Sequence, residues 1–255
     1  PKPSVDPKEV GEVRPGSGYL TGYLTRADMP DSLALLPPPP AQGSAAFEAD
    51  VQAYKTLTAM QASERGKQAA ADANLKFPAA ASVFSCALGI EISEAATPNL
   101  NMLLRRTLTD AGGATYRAKD EYQHTRPFAL FQNASCTPDS DARLAKDGSY
   151  PSGHSALGWA WALVLTEVAP EQANAILQRG YQFGQSRAIC GVHWQSDVEA
   201  GRVIGAAAVA RLHSDPTFRT QLAEAKQEFE ARRKVSAALP GCDAASSSAA
   251  VAKPG

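Results

Sequence analysis

The twelve residues Ser186-Arg-Ala-Ile-Cys-Gly-Val-His-Trp-Gln-Ser-Asp197 carry an arginine, a histidine and a carboxylate, at Arg187, His193 and Asp197. His193 and Asp197 are four positions apart, so on a helix that starts at His193 they lie on one face. The carboxylate can then accept a hydrogen bond from one ring nitrogen. That fixes the tautomer and leaves the other nitrogen free as a nucleophile. Arg187 is expected in a loop, 186–192, that leads into this helix, where its planar fork suits phosphate oxygens. Each feature also has an ordinary reading. A His–Asp pair is common on helix surfaces, and a lone arginine is more often merely solvated.

Two upstream segments change that balance. Pro151-Ser-Gly-His154 closes a polar stretch, 133–150, that reads as a long loop, and it opens an apolar helix over 155–168. Ser152 can cap that helix, and Gly153 lets a ligand approach the backbone. Free N–H groups at a helix start favour an anion, with His154 beside it. Further upstream, Lys119 and Arg126 are seven residues apart on a helix expected over 115–125, which places them on one face. Pro127 should end that helix at Arg126. Glu121 and His124 fit a solvated helix face and receive no role, and His213 is expected to be structural or exposed. Together the three segments supply Lys119, Arg126 and Arg187 to hold an anion, with His154, His193 and Asp197 to act on it.

Outward from these segments the periodicity is helical. Ser44 can cap a helix over 45–61 with Phe47, Val51, Tyr54 and Leu57 on one face. A second covers 64–75, before Pro78. Thr97-Pro98 resembles an N-cap followed by proline at the first helical position, opening a helix to about Asp110 with a stripe of Leu100, Leu103, Leu104 and Leu108. Helices are further expected over 171–185, 193–212 and 216–234. No alternating strand pattern and no repeat is present. The fold class is all-α, a single-domain helical bundle. It divides into an extended arm at 1–25, a helical domain at 26–235 and a loose Ala/Ser-rich tail at 236–255. The polyproline run Pro37–Pro40, flanked by leucines, should pack on the domain surface.

A chain of 255 residues with 44% hydrophobic residues can bury a large core. Its net charge of −1 argues against a bulk nucleic-acid surface. The longest strongly apolar run, 156–165, is well short of the ~20 residues that span a bilayer. No membrane partner is expected. A leader peptide, if there was one, has been removed before Pro1. Cys86, Cys136, Cys190 and Cys242 allow two disulfides in three connectivities, or four buried thiols; the first reading is favoured. No metal or other cofactor is expected, because the lysine and arginines around His154 and His193 would repel a cation.

These segments resemble the PAP2 superfamily, which also includes the vanadium haloperoxidases. More narrowly, the chain is similar to bacterial class A non-specific acid phosphatases. The likeness is carried by Asp31-Ser-Leu-Ala-Leu-Leu-Pro-Pro-Pro-Pro, Glu64-Arg-Gly-Lys-Gln-Ala-Ala-Ala-Asp-Ala-Asn-Leu75, Gly148-Ser-Tyr-Pro-Ser-Gly-His154 and Gly184 through Asp197. It covers roughly 24–234, and no active-site position departs from the pattern. The resemblance implies a metal-independent acid phosphatase acting on small phosphomonoesters and binding inorganic phosphate. His193 would form a phosphohistidine, Asp197 would orient it, and His154 would serve as acid and then base. Lys119, Arg126, Ser152, Gly153 and Arg187 would hold the phosphoryl oxygens. It further implies phosphotransferase capacity, vanadate inhibition, a periplasmic or secreted location and a homo-oligomer. Two alternatives remain at this point. One is a vanadium-dependent haloperoxidase, for which the chain is short. The other is a non-catalytic phosphate-binding protein, for which a paired nucleophile and acid would be superfluous.

Overall fold

The computed structural model describes residues 2–242. The expected tail therefore lies outside the described residues from position 243. Helices dominate, and among the described residues extended pairing is confined to an isolated antiparallel bridge between Glu12 and Leu20. The longer elements are α1 (Ala45–Thr58), α2 (Glu64–Ala71), α3 (Pro98–Gly113), α4 (Tyr116–Tyr122), α5 (Gly153–Val168), α6 (Ala173–Ile189), α7 (Gln195–Leu212) and α8 (Pro216–Arg233). None is long and apolar enough to cross a membrane.

α5 is the axis of the bundle because it is apolar nearly all round. Leu157, Ala160, Trp161, Val164 and Leu165 are buried on it, and α3, α6 and α7 pack about it. Trp161 also meets its polar requirement, donating its indole N–H to the Leu104 carbonyl at 2.9 Å. Each such large side chain contributes about 1.5–3 kcal/mol by leaving water. α7 approaches α5 at backbone distance. A Cβ placed on Gly205 would stand 2.3 Å from the Ala156 carbonyl oxygen, so only glycine fits. Gly201, one turn nearer the start of α7, makes the same close approach to the Ser152 carbonyl, and Ser152 N–H donates to the Asp197 carbonyl at 3.0 Å.

Of the caps expected from sequence, two form and one does not. Ser44 caps α1 through Phe47 N–H, and Ser152 caps α5 through Ser155 N–H, as expected. Thr97 does not cap α3. Its hydroxyl accepts from Ser93 N–H instead, and Glu228 of α8 accepts from Asn99 and Leu100 N–H at 3.0 and 2.9 Å. A distant carboxylate thus neutralises the positive end of α3, which local sequence cannot reveal.

The N-terminal segment is pinned along α3. Tyr23 and Leu24 N–H donate to the buried Asp110 carboxylate, and Arg106 donates to the Thr21 and Gly22 carbonyls. Pro37 in the polyproline run receives the Tyr150 hydroxyl at 2.8 Å. The four cysteines form Cys86–Cys242 and Cys136–Cys190. The second closes a loop of 54 residues, which in the chain-entropy picture stabilises by about 4 kcal/mol.

Four local expectations need correction. α6 does not stop near Gln185 but runs to Ile189, so Arg187 sits on the last helical turn rather than in a loop. Gly184 lies inside α6 as a close-packing site against Ser155. The true stop is Gly191, at φ +74°, where a side chain would be strained. α7 begins at Gln195, so His193 lies just before the helix, with Trp194 at the cap position. α4 ends at Tyr122, and Gln123 adopts φ 42°. Lys119 and Arg126 therefore converge across a chain reversal, not along one helix face. The 133–150 stretch is also not wholly irregular, since Pro138–Ser140 and Asp141–Leu144 wind into short turns.

Candidate active site

Five segments deliver side chains to one cleft of about 590 Å³. The end of α4 brings Lys119, the Arg126-Pro127 turn brings Arg126, and the start of α5 brings Gly153 and His154. The last turn of α6 brings Arg187, and the turn after Gly191 brings His193. Cys136–Cys190, together with Phe128 N–H donating to the Gly191 carbonyl, clamps the turn that precedes His193.

His193 is buried and its tautomer is decided by its partners. Nε2 lies 3.0 Å from Arg126 Nη1. An arginine can only donate, so Nε2 is the acceptor and carries the lone pair. Nδ1 then bears the proton and faces Asp197 Oδ2 at 3.3 Å. The same Oδ2 accepts from Trp194 N–H at 2.7 Å and from the Ser149 hydroxyl. Burial, followed by Arg126 and Lys119, holds the His193 pKa well below the usual histidine range, so the imidazole is neutral. Burial pushes Asp197 upward, while the Ser149 and Trp194 bonds and the Lys119 charge pull it back.

His154 is oriented from the other side. Its Nε2 lies 3.1 Å from the Ala73 carbonyl, which can only accept, so Nε2 carries a proton and Nδ1 is the titrating atom. The ring stacks on Phe183. Burial, and next the Arg187 charge, lower its pKa well below 6.5 while the cleft holds no anion.

The cations are arranged to receive one. Arg126 is anchored through Asp147, the Val192 carbonyl and His193. Lys119 spends one hydrogen on the Gly148 carbonyl at 2.8 Å. Arg187 has buried Nε and Nη1 atoms without a protein partner, N–H donors left to receive a bound anion. Burial, then Arg126, lowers the Arg187 pKa to about 9, and Lys119 is lowered by burial and Arg126. Gly153 and His154 open α5, so their N–H groups lack intrahelical acceptors. The Ser152 hydroxyl accepts from Ser155 N–H and Oγ, which leaves its own hydrogen to donate.

The structure therefore brings together Lys119, Arg126, Ser152, Gly153, His154, Arg187, His193 and Asp197. His124 lies apart, tilted against Trp194, and His213 pairs with Glu167. Sequence reasoning missed Ser149, Asp147, the Ala73 carbonyl and the ion pair behind it. In that pair Asp72 accepts from Arg179 and from the Ser186 hydroxyl. Ser149 and Asp72 stand inside quoted motifs, at Gly148-Ser and Asp-Ala-Asn, but only the fold reveals what they touch. A backbone carbonyl has no sequence signal at all.

Comparison with known proteins agrees with this geometry. Residues 100–221 match the family model described as the PAP2 superfamily. The chain is 49% identical to a non-specific acid phosphatase of Providencia stuartii, over 87% of this chain and 92% of that protein. The chain belongs to the PAP2 superfamily. It is also 46% identical to a non-specific acid phosphatase of Salmonella typhimurium, over 76% of this chain and 78% of the relative. An acid phosphatase of Zymomonas mobilis is 38% identical over 80% and 77%. The matched stretch contains Lys119, Arg126, Ser152, Gly153, His154, Arg187, His193 and Asp197.

Proposed function

We propose that this chain, an acid phosphatase of the PAP2 superfamily, hydrolyses small phosphomonoesters through a phosphohistidine on His193. The observation that carries the reading is the Arg126 contact to His193 Nε2, which makes that atom a lone pair aimed among the cations. Nε2 attacks phosphorus and the ester oxygen leaves in line. His154 supplies the proton to the departing alkoxide, then takes one from the water that cleaves the P–N bond. Lys119, Arg126, Arg187 and the first N–H groups of α5 stabilise the equatorial oxygens as charge shifts among them. Asp197 keeps the Nδ1 proton in place and balances the cationic ring of the intermediate.

Transfer of the phosphoryl group to an alcohol, vanadate inhibition and a metal-free mechanism belong to the same reading. So do a periplasmic or secreted location, supported by the two disulfides, and a homo-oligomeric state without nucleic-acid or membrane partners. The test is chemical trapping. Enzyme mixed with a phosphorus-labelled aryl phosphate and quenched in alkali, where phosphohistidine survives, should carry label on His193, and His193→Ala should stay folded without turnover. Label on Ser152 would overturn the assignment.

A further inference from the structure

We propose that the mouth of the cleft is a subsite for a second anionic group, formed by Arg143, Lys76 and Arg14. Phosphomonoesters whose leaving group carries another phosphate or carboxylate would then be preferred. The proposal rests on the phosphatase reading above and adds a substrate class to it.

The argument starts from charge. Six cationic side chains line the cleft: Arg14, Lys76, Lys119, Arg126, Arg143 and Arg187. A single acidic residue, Asp147, lines it too, and its carboxylate is committed to Arg126 at 3.1 Å. A bound phosphoryl dianion offsets two of these charges and Asp147 a third, so half of the cationic charge remains, in a chain whose net charge is only −1. The uncompensated half is the outer set.

Each member of that set is held at the mouth by a different element. Arg143 is on the Asp141–Leu144 turn, whose Asp141 accepts from Ser135. It is near enough to the inner site to depress the pKa of both Arg126 and Arg187. Lys76 lies three residues after Ala73, the carbonyl that orients His154, and its backbone N–H is fixed by Asn74. Arg14 is in the 12–20 loop, tethered to α3 by Arg105 donating to the Gly18 carbonyl.

Among the described residues none of these three side chains has an ion pair or a hydrogen bond. Several other surface arginines are matched, Arg117 with Asp31, Arg211 with Asp28 and Arg233 with Glu171, and Arg26, which like the three cations at the mouth has no such partner, does not line the cleft. Unmatched cations gathered from three elements around one opening form a ready counter-charge for an anion that enters with the substrate. The cleft also exceeds the size of a phosphate, which leaves room for the group that joins the two anions.

The experiment compares α,ω-alkanediol bisphosphates of increasing spacer length with the monophosphates of the same diols. The readout is the ratio of kcat/KM, bisphosphate over monophosphate, corrected for two equivalent phosphates. The wild-type ratio should exceed unity by about five-fold or more at the best spacer, the effect of one well-placed surface ion pair. It should fall towards unity as salt is raised. The Lys76→Gln/Arg143→Gln double variant should lose the preference at low salt, while Arg211→Gln, remote from the cleft, should keep it. A wild-type ratio at unity for every spacer, or a ratio unchanged in the double variant, overturns the subsite while leaving the phosphatase reading intact. Absence of turnover on both ester series overturns the phosphatase reading, and this proposal with it.

Discussion

Ser149→Ala separates a positioning role from a structural one. The change exchanges one buried hydroxyl for a hydrogen and leaves the backbone bond from Ser149 N–H to the His124 carbonyl untouched. Asp197 Oδ2 then keeps two donors, Trp194 N–H and His193 Nδ1, while Oδ1 already has none. A hydrogen bond to a buried charge is worth about 1.5–3 kcal/mol. If that support is needed most when His193 becomes cationic, kcat should fall about 10–150-fold. The pH dependence has a definite sign. Burial raises Asp197 and Ser149 lowers it, so removing Ser149 raises it further and the acidic limb of the rate profile moves upward. The kcat deficit should therefore be larger at pH 5 than at pH 8. Stability should move the other way. A carboxyl whose folded pKa lies above its unfolded value contributes stability at low pH and loses it as pH rises through the folded value. The extra loss in the variant should thus be greater at pH 8, read as a Tm drop of a few degrees per kcal/mol. Steady-state kinetics and thermal melts at the two pH values test both trends. A kcat within two-fold of wild type at both, with only Tm reduced, would show that Ser149 merely packs.

Sulfate, an anion that does not itself titrate near neutrality, should bind with net proton uptake, because burial and then the Arg187 charge depress His154 and a bound anion offsets the charge contribution; calorimetry in buffers of different ionisation enthalpy measures this, and no buffer dependence, or the same uptake in His154→Gln, would refute it. Gly205→Ala should cost about 1–3 kcal/mol through overpacking against the Ala156 carbonyl. It should also lower kcat, because the α5–α7 contact carries Asp197; a melt unchanged from wild type would contradict the close approach.

Which parts of this molecule were legible in its sequence follows from the range of the forces involved. The helices of the core were readable because apolar spacing reports burial directly, as in α5 and the Leu100–Leu108 stripe of α3. Caps were readable where they are local, at Ser44 and Ser152, and unreadable where tertiary packing supplies them, as Glu228 does for α3. The end of α6 was unreadable because glycine's two uses, ending a helix and letting two helices touch, look alike in one dimension. Only the observed φ of Gly191 and the contact of Gly184 with Ser155 separate them.

The site shows the same division. Its charged residues were legible because few arrangements of Lys, Arg, His and Asp in that order suit anything other than an anion. The geometric reason given for pairing some of them was wrong. Lys119 and Arg126 do not share a helix face, and His193 and Asp197 are not one helical turn apart on α7. What aligns the second pair is the cap of α7 itself. Asp197 sits in the first turn and turns its carboxylate back to receive Trp194 N–H, and the ring of the preceding residue, His193, then falls within reach of the same oxygen. The helix start thus has two uses. It satisfies an orphan backbone donor, and in doing so it fixes the carboxylate that sets the tautomer of His193. The four-residue spacing is required on either view, which is why a mistaken local structure still led to the right pair of side chains.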